Sequence, residues 1–251
     1  PAFLATLRNH AAFAKIDAQL TSDLQLDAGV RFEKGNMAVV PTQVFKDTPI
    51  VGAGTQINND YWLPAATLTW QLRDDMQVRV NASKTIARPQ FRELIFQFYF
   101  DPDTNRTYRG NPNLQDSRLT NAEARYEWYF DRDQRFSLSG FFKRIDNPIE
   151  TFVTAESDNF ITSFANAPTA DLYGAEVELQ KYFELADWGG MWEARRIALN
   201  VNYTYTKSKL KVNEGDTTSY FQAASTRALD YFQNGVPLTG QSEHIANVQF
   251  G

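Results

Sequence analysis

Apolar and polar residues alternate with a period of two over several separate stretches of this chain. From Leu24 the apolar set is Leu24, Leu26, Ala28, Val30 and Phe32, with Gln25, Asp27, Gly29, Arg31 and Glu33 between them. Met76, Val78, Val80 and Ala82 alternate with Gln77, Arg79, Asn81 and Ser83, and Ile197, Leu199, Val201, Tyr203 and Tyr205 with Ala198, Asn200, Asn202, Thr204 and Thr206. Successive side chains of a strand point to opposite faces, so each stretch predicts a strand with one dry and one wet face. Looser alternation over 10–20, 60–73, 117–130, 134–150, 164–183 and 237–251 brings the expected total to about nine strands.

The connections alternate in length. Thr21-Ser22-Asp23, Arg73-Asp74-Asp75 and Asp131-Arg132-Asp133 are tight turns, 34–59, 88–116 and 208–236 are long, 148–163 is intermediate, and 184–194 joins two further strands. An outer-membrane up-and-down barrel has this arrangement, with brief periplasmic turns at one rim and long external loops at the other. A secreted β-sandwich that binds carbohydrate is the alternative, because its strands alternate in the same way.

Aromatic placement separates the two. Trp62 and Trp70 stand eight residues apart in one strand. That is ~26 Å along the strand and ~20 Å after a ~40° tilt, close to the ~25 Å apolar band of such a barrel. Tyr126, Trp128, Phe130, Phe136, Tyr182, Phe183, Trp188 and Trp192 gather at the short-turn border, and Tyr173, Tyr203 and Tyr205 at the long-loop border, as two girdles. The wet faces hold Arg79, Glu123, Arg125, Glu127, Lys143, Glu176 and Glu178, more charge than a narrow dry core accepts. The expected fold is therefore all-β: an antiparallel up-and-down transmembrane β-barrel, present in part, with residues 1–251 in a single barrel domain. Val78, Val80, Leu199 and Val201 are expected to face lipid; Arg79, Asn81, Asn200 and Asn202 are expected to face the lumen.

Composition narrows the chemistry. With no cysteine there is neither a disulfide framework nor a thiolate site, and a net charge of −5 gives no attraction for nucleic acid. No apolar run reaches the ~20 residues of a membrane-spanning helix, but a β-barrel needs none. His10 and His244 lie far apart in the chain, without metal-ligand spacing. No phosphate loop, nucleophile elbow or zinc-hydrolase motif occurs, so neither enzyme activity nor a cofactor is expected. Asp101-Pro102-Asp103-Thr104-Asn105 reads as a turn rather than a calcium loop, since these are ordinary turn residues.

One long connection has binding character. Between Arg88 and Asn113 it carries Arg92, Tyr99, Tyr108 and Arg109 beside Phe96, Phe98 and Phe100. Aromatic faces next to polar donors suit sugar rings or an aromatic chelate; the competing role for the rings is to pack the loop onto the rim. With Arg79, Arg125 and Glu176 on the lumen side, these are the candidate ligand-binding residues.

Four segments carry a family resemblance. Ala82-Ser83-Lys84-Thr85-Ile86-Ala87-Arg88-Pro89-Gln90-Phe91-Arg92-Glu93-Leu94 resembles the strand-to-loop motif of TonB-dependent receptor barrels, and Gly110-Asn111-Pro112-Asn113-Leu114 the end of the following external loop. The run from Ser137 to Glu150 is similar to the next strand, and Pro237 to His244 to the start of a later one. The resemblance implies an outer-membrane barrel of about 22 strands with a plugged lumen. It also implies import of an extracellular nutrient such as a ferric siderophore or an oligosaccharide, outer-membrane lipid around the barrel, and an energy-coupling TonB complex that acts through the plug. Nothing here resembles the plug domain or the barrel's final strands, so the chain is expected to be an arc with two unpaired edges.

Overall fold

The computed structural model describes residues 2–43, 53–156, 159–192 and 194–251. In chain order the elements are β1 (Ala2–Thr21), β2 (Leu24–Thr42), β3 (Thr55–Arg73), β4 (Met76–Ala87), the one-turn helix α1 (Phe91–Leu94), β5 (Phe98–Asp101), β6 (Arg106–Arg109), β7 (Ser117–Asp131), β8 (Gln134–Asp146), β9 (Ile149–Glu156), β10 (Asn159–Asn166), β11 (Thr169–Glu184), β12 (Arg196–Lys211) and β13 (His244–Phe250). Nine of them form one open antiparallel sheet, ordered β1-β2-β3-β4-β7-β8-β11-β12-β13. Each strand therefore pairs with the next one to enter the sheet, which is the up-and-down topology of a barrel wall. The tight turns fall where the sequence places them, and Asp133 takes a left-handed φ of 58° in its turn.

Register fixes the faces. Val78 and Val80 share one face, opposite Trp70 and Leu68 of β3 and Tyr126 and Ala124 of β7. On β12 Leu199 and Val201 lie on that same side, opposite Lys181 and Leu179. Burial on the two faces is inverted relative to a water-soluble sheet. Trp62 is 66% exposed, Val80 49% and Leu138 45%, whereas Glu127 on the other face is 4% exposed. A sandwich would bury the apolar face beneath a second sheet; among the described residues no element packs there. Tyr182, expected in the aromatic girdle, instead faces inward and accepts a hydrogen bond from Gln180 Nε2 at 3.0 Å.

The apolar face ends abruptly toward the external rim. The last apolar and first polar outward residues are Phe32 and Lys34 on β2, Trp62 and Asp60 on β3, Ala82 and Lys84 on β4, Phe142 and Arg144 on β8, Tyr173 and Asp171 on β11, and Tyr205 and Lys207 on β12. Relative to the cross-strand register this border drops from Phe32 on β2 to Tyr205 on β12, about one residue per strand. With ~3.4 Å per residue and ~4.8 Å between strands, the strands must tilt by about 35° for the border to lie level, within the usual range for membrane barrels.

Above the border the amphipathic phase reverses. Met37, Val39 and Leu210, which face inward, are 4%, 0% and 3% exposed, while Lys34 and Lys209 point outward into water. This reversal corrects the expected connection over 34–59: β2 continues to Thr42 and β3 begins at Thr55, and residues 44–52 lie outside the described residues. Two other expected strands break at a proline. The stretch 134–150 divides at Asn147-Pro148, and 164–183 at Ala167-Pro168, so β9 and β10 leave the barrel sheet. Only His244–Phe250 of the expected final strand pairs with β12.

Those departing strands build a second sheet, ordered β5-β6-β10-β9, from two external connections; β6 and β10 run parallel. One of its faces packs Tyr99, Tyr108 and Phe164 over Met37, Val39 and Ile57 of the upper inner wall, together with Leu94 of α1 and Leu114 of the loop before β7. Its other face lies under the β12–β13 connection, where Phe152 meets Tyr220, Tyr231 and Phe232 at centroid distances of 5.0, 4.9 and 6.3 Å.

Candidate functional site

On the inner wall the sheet register turns scattered charges into rows. Arg79, Arg125, Ser139, Glu176 and Thr204 stand in line across β4, β7, β8, β11 and β12, so the three lumen residues singled out from sequence share one row. Gln77, Glu127, Ser137, Glu178 and Asn202 form the adjacent row. Ion pairs tie the rows diagonally: Arg125 reaches Glu178 at 2.7 Å and Glu127 at 3.2 Å, and Arg79 reaches Glu127 at 3.5 Å. Gln77 donates to Glu127 at 2.5 Å, and Asn202 to Glu176 at 2.7 Å. Glu127 is 4% exposed, and a carboxylate buried on the wall is costly unless it is paired and hydrogen-bonded in this way. The row therefore presents polar, fixed charge to the lumen.

The external layer holds the other four candidates. Arg92, on α1, is exposed, and its Nε donates to Gln90 at 3.1 Å. Tyr99 and Tyr108 stack at 5.6 Å, and Tyr108 stacks in turn on Phe164 at 5.8 Å. Burial pushes the Tyr99 hydroxyl up to about 12. Arg109 lies 4.9 Å from the centre of the Phe96 ring and 5.1 Å from that of Phe98, and donates through Nε and Nη2 to the Tyr220 hydroxyl at 2.9 and 2.7 Å. Tyr99, Tyr108 and Arg109 thus sit at the joints of the layer. Phe98 and Phe100, 50% and 61% exposed, present its open aromatic surface, with the exposed Arg106 nearby on β6.

Several organising residues are not among the candidates chosen from sequence, although Arg88 and Asn111 lie within the motifs that carry the resemblance. Asn111 is fully buried and makes four hydrogen bonds: its Nδ2 donates to the Phe164 and Ser219 carbonyls at 3.0 and 2.8 Å, and its Oδ1 accepts from the Asn113 and Phe221 amides at 3.0 and 3.2 Å. It joins three external connections. Tyr220, 111 residues beyond Arg109, also bonds Ser163 at 3.0 Å. No local pattern marks it, because its partners are all distant in sequence. Arg88 folds back to pair with Glu33 at 2.7 Å, across the space left by Gly35, where a Cβ would collide with the guanidinium. At the upper edge of β3 a polar cleft of about 720 Å³ contains Asp116, whose Oδ2 accepts from Tyr61 at 2.9 Å and Asn59 at 3.1 Å. The Asp101–Asn105 turn forms as expected, with the Asp103 amide donating to Asp101 at 3.0 Å. Among the described residues no three or more histidines and carboxylates are grouped to hold a metal.

A tilted, open antiparallel arc, wet inside and apolar outside, with a folded cap over its longer-loop rim, defines a piece of the wall and rim of a transmembrane β-barrel. Residues 4–251 match the family described as TonB dependent receptor-like, beta-barrel, and the chain belongs to that family, whose members are outer-membrane receptors and transporters rather than enzymes.

Among solved structures, the closed form of the ferric-catecholate import receptor Fiu from K12 E. coli superposes with a TM-score of 0.61 at 17% identity, over 98% of this chain and 32% of that one. The copper transporter OprC gives 0.60 at 16% identity, over 82% and 30%. The Serratia marcescens hemophore receptor HasR, a double mutant in complex with HasA and heme, gives 0.60 at 14% identity, over 97% and 41%. These likenesses concern the fold, and the chain spans about a third of the first two structures. A search of curated proteins by sequence found no match.

Proposed function

We propose that this chain is part of the wall and external mouth of an outer-membrane receptor that captures an extracellular nutrient and passes it to the periplasm. The observation that carries this reading is the inverted arc itself: a charged inner wall, an apolar outer band whose border descends with strand tilt, and a folded external layer over one end. Lipid covers the outer band. Energy comes from a TonB complex acting on the plug region of the whole receptor.

The cap suits an anionic chelate that carries aromatic rings, such as a ferric catecholate siderophore, better than a neutral sugar. Phe98 and Phe100 offer exposed ring faces, and the guanidinium groups of Arg92, Arg106 and Arg109 supply positive charge beside them. In this reading Tyr99, Tyr108 and Arg109 hold the capture surface in shape, Arg92 meets the ligand, and Arg79, Arg125 and Glu176 line its route through the lumen. The relatives differ in cargo: their descriptions name a ferric catecholate, copper and heme.

The test is uptake of radiolabelled iron as a tris-catecholate chelate, in cells whose only receptor is the full-length parent. Replacing Arg92, Phe98 and Phe100 together with Ala should reduce uptake with no change in the amount of receptor in the outer membrane. Unchanged uptake removes this surface from ligand capture. A parent protein that is extracted without detergent removes the membrane reading as well.

A further inference from the structure

We infer that the polar cleft beside the upper half of β3 is a site for a hard divalent cation, calcium in particular, and that Asp116 is its charged ligand. The site exists because the barrel sheet is slit there. β3 and β4 pair from Arg73 and Met76 only as far as Ala65 and Ser83, although β3 continues up to Thr55 and β4 to Ala87. Pairing stops next to Pro64, which has no N–H to donate. Beyond that point β3 stays with β2 as far as Val39 and Thr55, while β4 stays with β7 as far as Ala87 and Ser117. Alternate carbonyls of upper β3 therefore point away from β2 toward the slit, and among the described residues no backbone amide bonds to them there. The cleft of about 720 Å³ follows this free edge, walled by residues 55–61 on one side and 112–116 on the other.

Asp116 gives the cleft its charge. The residue is 3% exposed. Its Oδ2 accepts from Tyr61 and Asn59, but its Oδ1 is buried and accepts no hydrogen bond among the described residues. A buried carboxylate with one empty oxygen is costly. Tyr61 and Asn59 are neutral donors, so they leave its charge uncompensated. Among the described residues no lysine, arginine or histidine nitrogen lies within 4.0 Å of Asp116, and Arg118 lines the cleft without pairing with it. A water molecule could donate to Oδ1 but would not neutralise it; a cation does both.

The donor atoms select the ion. No histidine or methionine lines the cleft, and its available ligands are carboxylate, amide and backbone oxygens, the set preferred by hard cations. Magnesium demands a compact octahedron, whereas calcium accepts six to eight oxygens at ~2.3–2.6 Å in an irregular shell that commonly includes carbonyls. An unpaired strand edge beside one buried carboxylate, with the exposed Asp60 at the outer lip, supplies that kind of shell. So low a ligand charge places the affinity in the weak extracellular class, ~10⁻⁴–10⁻³ M. The bound ion would join β3 to the segment before β7 and close at the rim the slit that the ladder leaves open. It would also steady Ile57 and Leu114, which belong to the core under the external layer.

This inference goes beyond the import reading and does not depend on which nutrient is carried. The full-length receptor, purified in mild detergent and stripped with EDTA, is titrated with terbium, whose luminescence a nearby tyrosine sensitises; Tyr61 stands next to Asp116 for that purpose. Saturable luminescence that calcium displaces is expected. Asp116→Asn should bind at least about tenfold more weakly, whereas Asp103→Asn, the same charge change in the exposed Asp101–Asn105 turn, should bind like the parent. Calcium should also slow hydrogen exchange of the amides of residues 56–62 in the parent and leave it unchanged in Asp116→Asn. Tyr61→Phe guards against a merely structural effect of that substitution: it keeps the carboxylate and removes one of its donors, so calcium measured by calorimetry should bind it at least as tightly as the parent. Heat-modifiable gel mobility confirms that each variant remains a folded barrel. Equal calcium affinity in Asp116→Asn and the parent, an equal loss in Asp103→Asn, or exchange at 56–62 that ignores calcium up to about 10 mM overturns the site and leaves Asp116 to bound water alone.

Discussion

Replacing Asn111 with Ala should unfasten the external layer while leaving the barrel wall intact. Asn111 is 0% exposed and its amide group makes four hydrogen bonds, two donated and two accepted, to segments of three different connections. A buried hydrogen bond contributes ~1 kcal/mol net, and a buried partner left unpaired costs ~1–3 kcal/mol. Alanine removes four bonds but opens a space that water can partly fill, so the local penalty should be about 3–5 kcal/mol. At ~1.4 kcal/mol per decade the layer should then open about two to four orders of magnitude more often. Hydrogen exchange on the full-length receptor measures this directly at the Asn113 and Phe221 amides, which lose their acceptor, and at neighbouring amides of β10. Exchange of the β7 and β8 amides, deep in the barrel sheet, should not change. Asn111→Asp should be worse than Ala, because it keeps the two acceptor roles but sets a buried anion against the Phe164 and Ser219 carbonyls. The reasoning fails if Asn111→Ala leaves exchange at Phe221 unaltered, or if Asp is better tolerated than Ala.

Three further outcomes follow from the same structure. Val80→Lys should cost the assembled parent barrel ~2–4 kcal/mol if it sits at mid-bilayer depth, while Asn81→Lys on the opposite face should be mild; equal effects in a barrel-unfolding titration would contradict the face assignment. Arg125→Met should destabilise the wall by ~3 kcal/mol, because Glu127 and Glu178 lose a shared partner, and Glu127→Gln in the same chain should recover part of that loss. Glu93 has a carboxyl held above its ordinary value, mainly by burial, with the Gln90 amide and Arg92 opposing; such a group stabilises the folded layer most below the unfolded carboxylate pKa, and the contribution declines as pH rises through the folded value. Loop protection against proteolysis should therefore fall as pH rises out of the ordinary carboxylate range, and Glu93→Gln should flatten the profile.

The strand count, the order of turns and the two faces were legible in the sequence wherever the strand crosses lipid. There, alternation is enforced by a sharp contrast between hydrocarbon outside and water inside, as from Leu24 to Phe32 and from Ile197 to Tyr205. The same rule failed beyond the border. Lys34-Gly35-Asn36-Met37-Ala38-Val39 still alternates, but with the apolar residues moved to the other face, so the pattern looked like the end of a strand when it was a change of solvent. The loop sheet was hidden for a different reason. β5 and β6 are four residues each, too short for periodicity, and β6 finds its parallel partner β10 about fifty residues away. Arg79, Arg125 and Glu176 could be chosen from their wet positions, yet that they share a row depends on register, which sequence leaves open. For Tyr99, Tyr108 and Arg109 the residue types were informative, while their joint roles required Phe164 and Tyr220.

The reversal of phase also explains why this chain can have two apolar cores without being a soluble protein. Below the border the inner wall must stay polar because the lumen is wet, and Glu127 and Glu178 are held there by Arg125 instead of being replaced by leucine. Above it, the inner wall is the only surface on which the long connections can bury apolar side chains, since the outer face meets headgroups and water. Met37 and Val39 on β2 and Leu210 on β12 accordingly become the floor of the external layer. A strand such as β2 is thus written in two solvents, with the switch placed between Phe32 and Lys34. The switch fixes two things at once: the height of the apolar band and the base on which the external loops fold. A shift of one residue in the register of β2 would set both wrong together, which makes the length of the short turn at Ser22-Asp23 as consequential for the external layer as any residue in the layer itself.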